Sequence, residues 1–113
     1  MTKNTYRSVV NYLKKELSVE YPVYVRRVQM PKNCMGDCYF DEEQQYFIIR
    51  IERKIPYLWA VDVVIHEISH VASWHSKDKD DHGNQWGIAY SKVYRTLMKY
   101  WGYDEQKVAK YRP

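Results

Sequence analysis

From Pro56 to Trp74 the sequence reads PYLWAVDVVIHEISHVASW, and no other stretch limits the fold so tightly. On a helix of about 100° per residue, Val61, Val64, Ile65, Ile68, Val71 and Ala72 fall on one arc. Asp62, His66 and His70 follow one another at single-turn intervals on the opposite side. Glu67 falls at the edge of the histidine face. A helix patterned this way buries one side in a core and presents the other. Pro56 fits its first turn, and the pattern predicts a helix reaching about Trp74 or His75.

The rest of the chain supplies what that helix packs on. Tyr6, Val9, Val10, Leu13 and Leu17 recur at helical spacing, so Thr5 to Leu17 reads as an amphipathic helix, with Pro22 beyond its end. VYVRRVQM, Val23 to Met30, is β-branched and strand-like. CYF and YFIIRIER flank the polar DEEQQ and read as a hairpin. In its second arm Phe47, Ile49 and Ile51 alternate with Ile48, Arg50 and Glu52, so one face is apolar. The three strands are expected to form a small antiparallel sheet. Beyond the charged SKDKDDHG, the segment NQWGIAYSKVYRTLMKYW is helical, with Trp86, Tyr90, Val93 and Leu97 on a common face. A short tail helix is expected from Asp104 to Lys110. This order of elements makes the class α+β.

The chain has 113 residues, which fits one small domain spanning 1–113. With 45% hydrophobic and 28% charged residues the composition is that of a globular domain. No repeat or linker is visible. Most of the 12 tyrosines read as half-buried packing. The N-terminus carries no apolar core of signal-peptide length, and no apolar run is long enough to span a bilayer. The expectation is a cytoplasmic, monomeric protein. Cys34 and Cys38, in CMGDC, are then free thiols, and two cysteines alone cannot close a four-ligand structural zinc site. The net charge of +4 permits an acidic partner without demanding one.

All four histidines lie between His66 and His82. Histidines at i and i+4 can aim two ring nitrogens at one zinc about 2 Å away. The glutamate beside the first of them then leans toward the metal without binding it and is placed to take a proton from water. A catalytic zinc takes a third protein ligand. His75 is nearest, but on a continued helix it points away from His66. Asp78, Asp80 and Asp81 offer oxygen ligands or form a solvated loop. Glu105 lies on the tail. His82 has the right chemistry and enough chain to return, and it begins a new helix.

HEISH followed after a short loop by HGNQW resembles the SprT-like metallopeptidases, which include the bacterial SprT proteins and the Spartan protease domain. Their pattern is HExxH, a variable loop, then His-Gly-x-x-aromatic opening a helix. The resemblance is specific over Val61 to Trp86 and looser over Lys32 to Ile55, where MGDCYF and YFIIRI look like that family's glycine-containing hairpin. It implies that His66, His70 and His82 hold Zn²⁺, that Glu67 is the catalytic glutamate, that Trp86 matches the aromatic, and that Asp62 matches an acidic position there. The C-terminal zinc ribbon or DNA-binding extension of fuller members has no counterpart before Pro113. A related small family, the YgjP-like metallopeptidases, shares HExxH and a later histidine followed by an aromatic.

The expected function is therefore zinc-dependent hydrolysis of peptide bonds in a protein or peptide substrate, with Asp62 placed to orient a histidine. Tyr90 or Tyr94 could donate to the oxyanion, but packing is the favoured role of both, and neither is assigned from the sequence. A second expectation is nucleic-acid association. Lys92, Arg95, Lys99, Lys107, Lys110 and Arg112 interleave with tyrosines and Trp101, a pattern suited to stacking bases, and the Spartan likeness points to DNA-associated proteins. A third is a zinc-stabilised interaction module without turnover, for which Asp81 or His75 would close the site.

Overall fold

The computed structural model describes residues 5–17, 19–74 and 82–102. Helix α1 (Tyr6–Glu16) leads into strands β1 (Val23–Val28), β2 (Gly36–Asp41) and β3 (Tyr46–Glu52), then helices α2 (Tyr57–Ala72) and α3 (Asn84–Tyr100). This is the α+β class and the order of elements that the sequence implies.

Each element has a local cause. Thr5 caps α1, its hydroxyl oxygen accepting the Ser8 amide at 3.2 Å, which satisfies one of the orphan donors of the first turn. Val9, Val10 and Leu13 are its buried face. The β2–β3 turn is held by the Asp41 carboxylate, which accepts the Gln44 amide at 2.8 Å. Pro56 caps α2 rather than entering its first turn. The helix ends at Ala72, short of Trp74. There the Trp74 amide reaches back to Val71 O at 3.3 Å, a tightened final turn. His75 and the tail from Asp104 to Lys110 lie outside the described residues.

The sheet departs from the expectation of an antiparallel arrangement. It is mixed, with strand order β1-β3-β2. The β2–β3 hairpin is antiparallel, with Gly36 opposite Ile51 and Asp41 opposite Tyr46. β1 lies on the far side of β3 and parallel to it, Val23 opposite Phe47 and Val28 opposite Glu52. Side chains explain the placement. Phe47, Ile49 and Ile51 are each at most 1% exposed, so β3 takes the centre, where burial is greatest. Arg27 of β1 donates to the carbonyls of Glu52, Arg53 and Ile55 at 3.1, 2.9 and 2.9 Å. The Glu52 carboxylate accepts the amides of Met30 and Lys54 at 2.8 and 2.9 Å. These bonds fasten the end of β1 to the end of β3. The connection after β1, with Asn33 at φ 67°, then carries the chain across to the opposite edge. Asparagine tolerates that left-handed conformation better than most residues.

One face of the sheet meets the helices. Phe47, Ile49 and Ile51 pack with Val9, Val10 and Leu13 of α1, with Ala60, Val61, Val64, Ile65, Ile68 and Val71 of α2, and with Val93 and Leu97 of α3. Burying such side chains stabilises by about 1.5–3 kcal/mol each. Ser69 sits in the same interior, its hydroxyl donating to Ile65 O at 2.6 Å. Among the described residues no helix is long and apolar enough to cross a membrane.

Candidate metal centre

The core fixes the site by fixing α2. With Val64, Ile65 and Ile68 fully buried, the helix cannot rotate, and His66 and His70 are left half-buried on the opposite face. α3 packs beside it, and His82, two residues before α3 begins, reaches the same spot. The three ring centroids form a nearly equilateral triangle of 5.1, 5.1 and 4.8 Å. One ligand atom from each histidine lies within 4.8 Å of the other two, close enough to hold a metal ion.

The spacing of the ring nitrogens fits one shared metal ion. His66 Nε2 and His82 Nε2 are 3.2 Å apart. Two nitrogens bound to one zinc at 2.0–2.1 Å with a tetrahedral angle between them are separated by about 3.3 Å. Burial first, and then the neighbouring His82, hold the His66 imidazole below its usual pKa. Its lone pair is thus kept available for a metal rather than a proton.

Trp86 forms the wall behind the triad. Its ring lies 5.1, 5.7 and 4.9 Å from those of His66, His70 and His82. Its indole N–H reaches His66 O at 3.4 Å, which ties α3 to α2 at the ligand itself. His82 precedes the Gly83 cap and Trp86 lies in the first turn of α3, so the entry into α3 brings both to the site.

Glu67 follows His66 and is only 7% exposed. Burial, reinforced by Asp37, pushes its carboxyl up to about 7. A dication on the three histidines would pull it down again. Glu67 and His66 open into a cleft of about 350 Å³ lined also by Met35, Gly36, Trp59, Asp62, Val63 and Tyr90. β2 closes one side of this cleft, and Gly36 permits the close approach. A Cβ there would lie 2.6 Å from Val63 Cγ1 and 2.9 Å from Arg50 O. Cys38, next along that face of β2, is half-buried, and burial and Glu67 raise its thiol to about 12. It is a packing residue here, not a nucleophile.

His66, His70 and His82 are thus brought together, and Glu67 shares the lining of the cleft with His66. Asp62 stands exposed at the cleft, and no hydrogen bond links it to a histidine among the described residues. His75, Asp78, Asp80, Asp81 and Glu105, the other ligand candidates, lie outside the described residues. The cleft walls Met35, Gly36 and Trp59 went unrecognised in the sequence. The glycine of CMGDC was the available signal, since a lone glycine inside a strand marks a close approach. Comparison with protein-family models and with curated proteins finds no match to this chain.

Proposed function

We propose that this chain is a zinc-dependent metallopeptidase of the SprT-like kind, with His66, His70 and His82 as metal ligands and Glu67 as general base. The observation that carries the reading is the cluster of three histidines, one of which, His66, lines a cleft together with the buried carboxyl of Glu67. When bound, zinc supplies a Lewis acid that acidifies water and polarises a carbonyl. The His66 and His82 nitrogens, 3.2 Å apart, have a spacing compatible with one shared ion.

Glu67 has the environment of a proton carrier. A carboxyl in apolar surroundings accepts a proton more readily than one in water. It takes the proton of the attacking water and delivers it to the leaving amine. Asp62, one turn before His66, adds negative charge at the cleft mouth.

Glu67→Gln tests the assignment. The variant keeps the fold and the zinc and loses about 10²–10⁴-fold in peptide cleavage, the usual contribution of a placed acid–base group. Wild-type turnover by this variant, at equal zinc content, would overturn the role. Zinc content by elemental analysis, with His82→Ala as control, checks the ligand set. The nucleic-acid reading rests on exposed Lys92, Arg95 and Lys99 of α3. DNA binding that weakens steeply with salt would support it, and no binding at low salt would remove it.

A further inference from the structure

Glu67 and the three histidines leave one requirement of peptide hydrolysis unmet, a donor for the carbonyl oxygen as it becomes negative. We infer that the Tyr90 hydroxyl is that donor, held by ring stacking at the wall of the cleft that His66 and Glu67 share. The inference rests on the peptidase reading and adds a catalytic residue to it.

Geometry separates Tyr90 from the other candidates. The described side chains lining the cleft are those of Met35, Trp59, Asp62, Val63, His66, Glu67 and Tyr90. With His66 taken as a ligand, only Tyr90 and Trp59 among them carry a neutral O–H or N–H. Trp59 is 50% exposed on the first turn of α2, so its indole is poorly confined. Tyr90 is half-buried and lies between two parallel neighbours, Trp86 at 5.1 Å and 29° and Tyr94 at 6.2 Å and 23°. Trp86 itself rests on all three histidines. The stack therefore runs from the ligand rings to the Tyr90 ring and fixes its position relative to the reacting centre. Such pre-organisation is what makes a donor effective in a transition state. Tyr94, one turn further on, is 43% exposed and does not line the cleft. Burial and then Asp62 raise the Tyr90 hydroxyl above its ordinary pKa, so it remains a donor at neutral pH.

The step balances without further reagents. Water oxygen bonds to the carbonyl carbon while the π pair moves onto the carbonyl oxygen, and Glu67 takes the water proton. The Tyr90 hydroxyl donates a hydrogen bond to that oxygen and keeps its own proton. The pair then returns to re-form the carbonyl, the C–N bond breaks, and the amine leaves with the proton from Glu67.

Tyr90→Phe keeps the ring and the stack and removes only the hydroxyl. Zinc-loaded wild type, Tyr90→Phe, Tyr94→Phe and Trp59→Phe are compared on one unstructured peptide substrate. Each is also titrated by calorimetry with a phosphinic peptide, whose anionic oxygens imitate the tetrahedral centre, and with zinc by chelator competition. The expected result is a kcat loss of roughly 10²–10³-fold for Tyr90→Phe, with KM and zinc affinity unchanged. Phosphinic-peptide binding should weaken by at least tenfold, and Tyr94→Phe should behave as wild type. An active wild type with equal kcat and equal inhibitor binding in Tyr90→Phe overturns the role of Tyr90 and leaves the peptidase reading standing. A loss in Trp59→Phe in its place overturns it in favour of the indole. A zinc-loaded wild type that cleaves no peptide overturns both.

Discussion

Eight of the 16 residues of α2 are buried, against three of the 17 in α3, yet the two helices supply ligands to one site. α2 is a core element that carries chemistry on its outer face, so the geometry of His66 and His70 is secured by the fold. α3 enters the core with Val93 and Leu97 and packs the half-buried Tyr90, Met98 and Tyr100 against it, and His82 stands before its first turn. Its anchorage at that end is Trp86 against the histidine rings and the bond to His66 O. On the proposed metal reading, the α2 half of the site is set by the core, and the His82 half would be completed by the metal and by Trp86.

The ligands themselves test that contrast most severely. His66→Ala, measured by chelator competition, should weaken zinc binding by well beyond the roughly 10–100-fold that an outer partner of a ligand costs. His82→Ala should retain weak binding at the α2 pair. Equal zinc affinity in His82→Ala and wild type would show that α3 has no part in the site. The next effect is on stability. Ile65→Ala should cost about 2–5 kcal/mol in urea unfolding, and Leu97→Ala should lie at or below the low end of that range, because α3 can relax. The reverse order would mean that α3 is the better anchored helix.

Metal removal comes next in size. Zinc at a hundredfold over its dissociation constant stabilises by about 2.7 kcal/mol. Its removal should speed amide exchange in the first turns of α3 while the amides around Ile65 and Ile68 stay protected. Uniform loss of protection in both helices would contradict the division. Gly36→Ala should cost about 1–3 kcal/mol through the clash with Val63 and the Arg50 carbonyl, shifting β2 off α2 and altering the cleft; an unchanged melting temperature would refute that packing. The smallest effect belongs to Glu52→Gln. Backbone amides of Met30 and Lys54 hold the Glu52 carboxyl below its usual pKa. Its contribution is present above the unfolded-state pKa and lost as pH falls through the lower folded value. The variant should therefore show a shallower loss of stability in acid.

Much of the fold was legible because its signals are local. The helix ends at Thr5 and Pro56 and the alternation through Phe47, Ile49 and Ile51 depend on residues a few positions apart. The neighbours of β1 could not be read that way. Its strand pattern is compatible with either partner, and the choice of β3 depends on the Arg27 side chain, which meets the backbone carbonyl of Glu52, 25 residues away, only in the folded sheet.

The site divides along the same line. Spacing alone determined that His66 and His70 share a face, that Glu67 lies at its edge, and that the core lies opposite, because a helix has a fixed period. The sequence also offered several third ligands, among which the family resemblance selected His82, and two candidate tyrosines that it did not separate. Only the tertiary structure placed His82 within 3.2 Å of His66, set Trp86 behind all three rings, and put Tyr90 rather than Tyr94 in the cleft. Those choices depend on how α3 docks on α2, which packing between distant residues decides, and no periodicity within either helix encodes it.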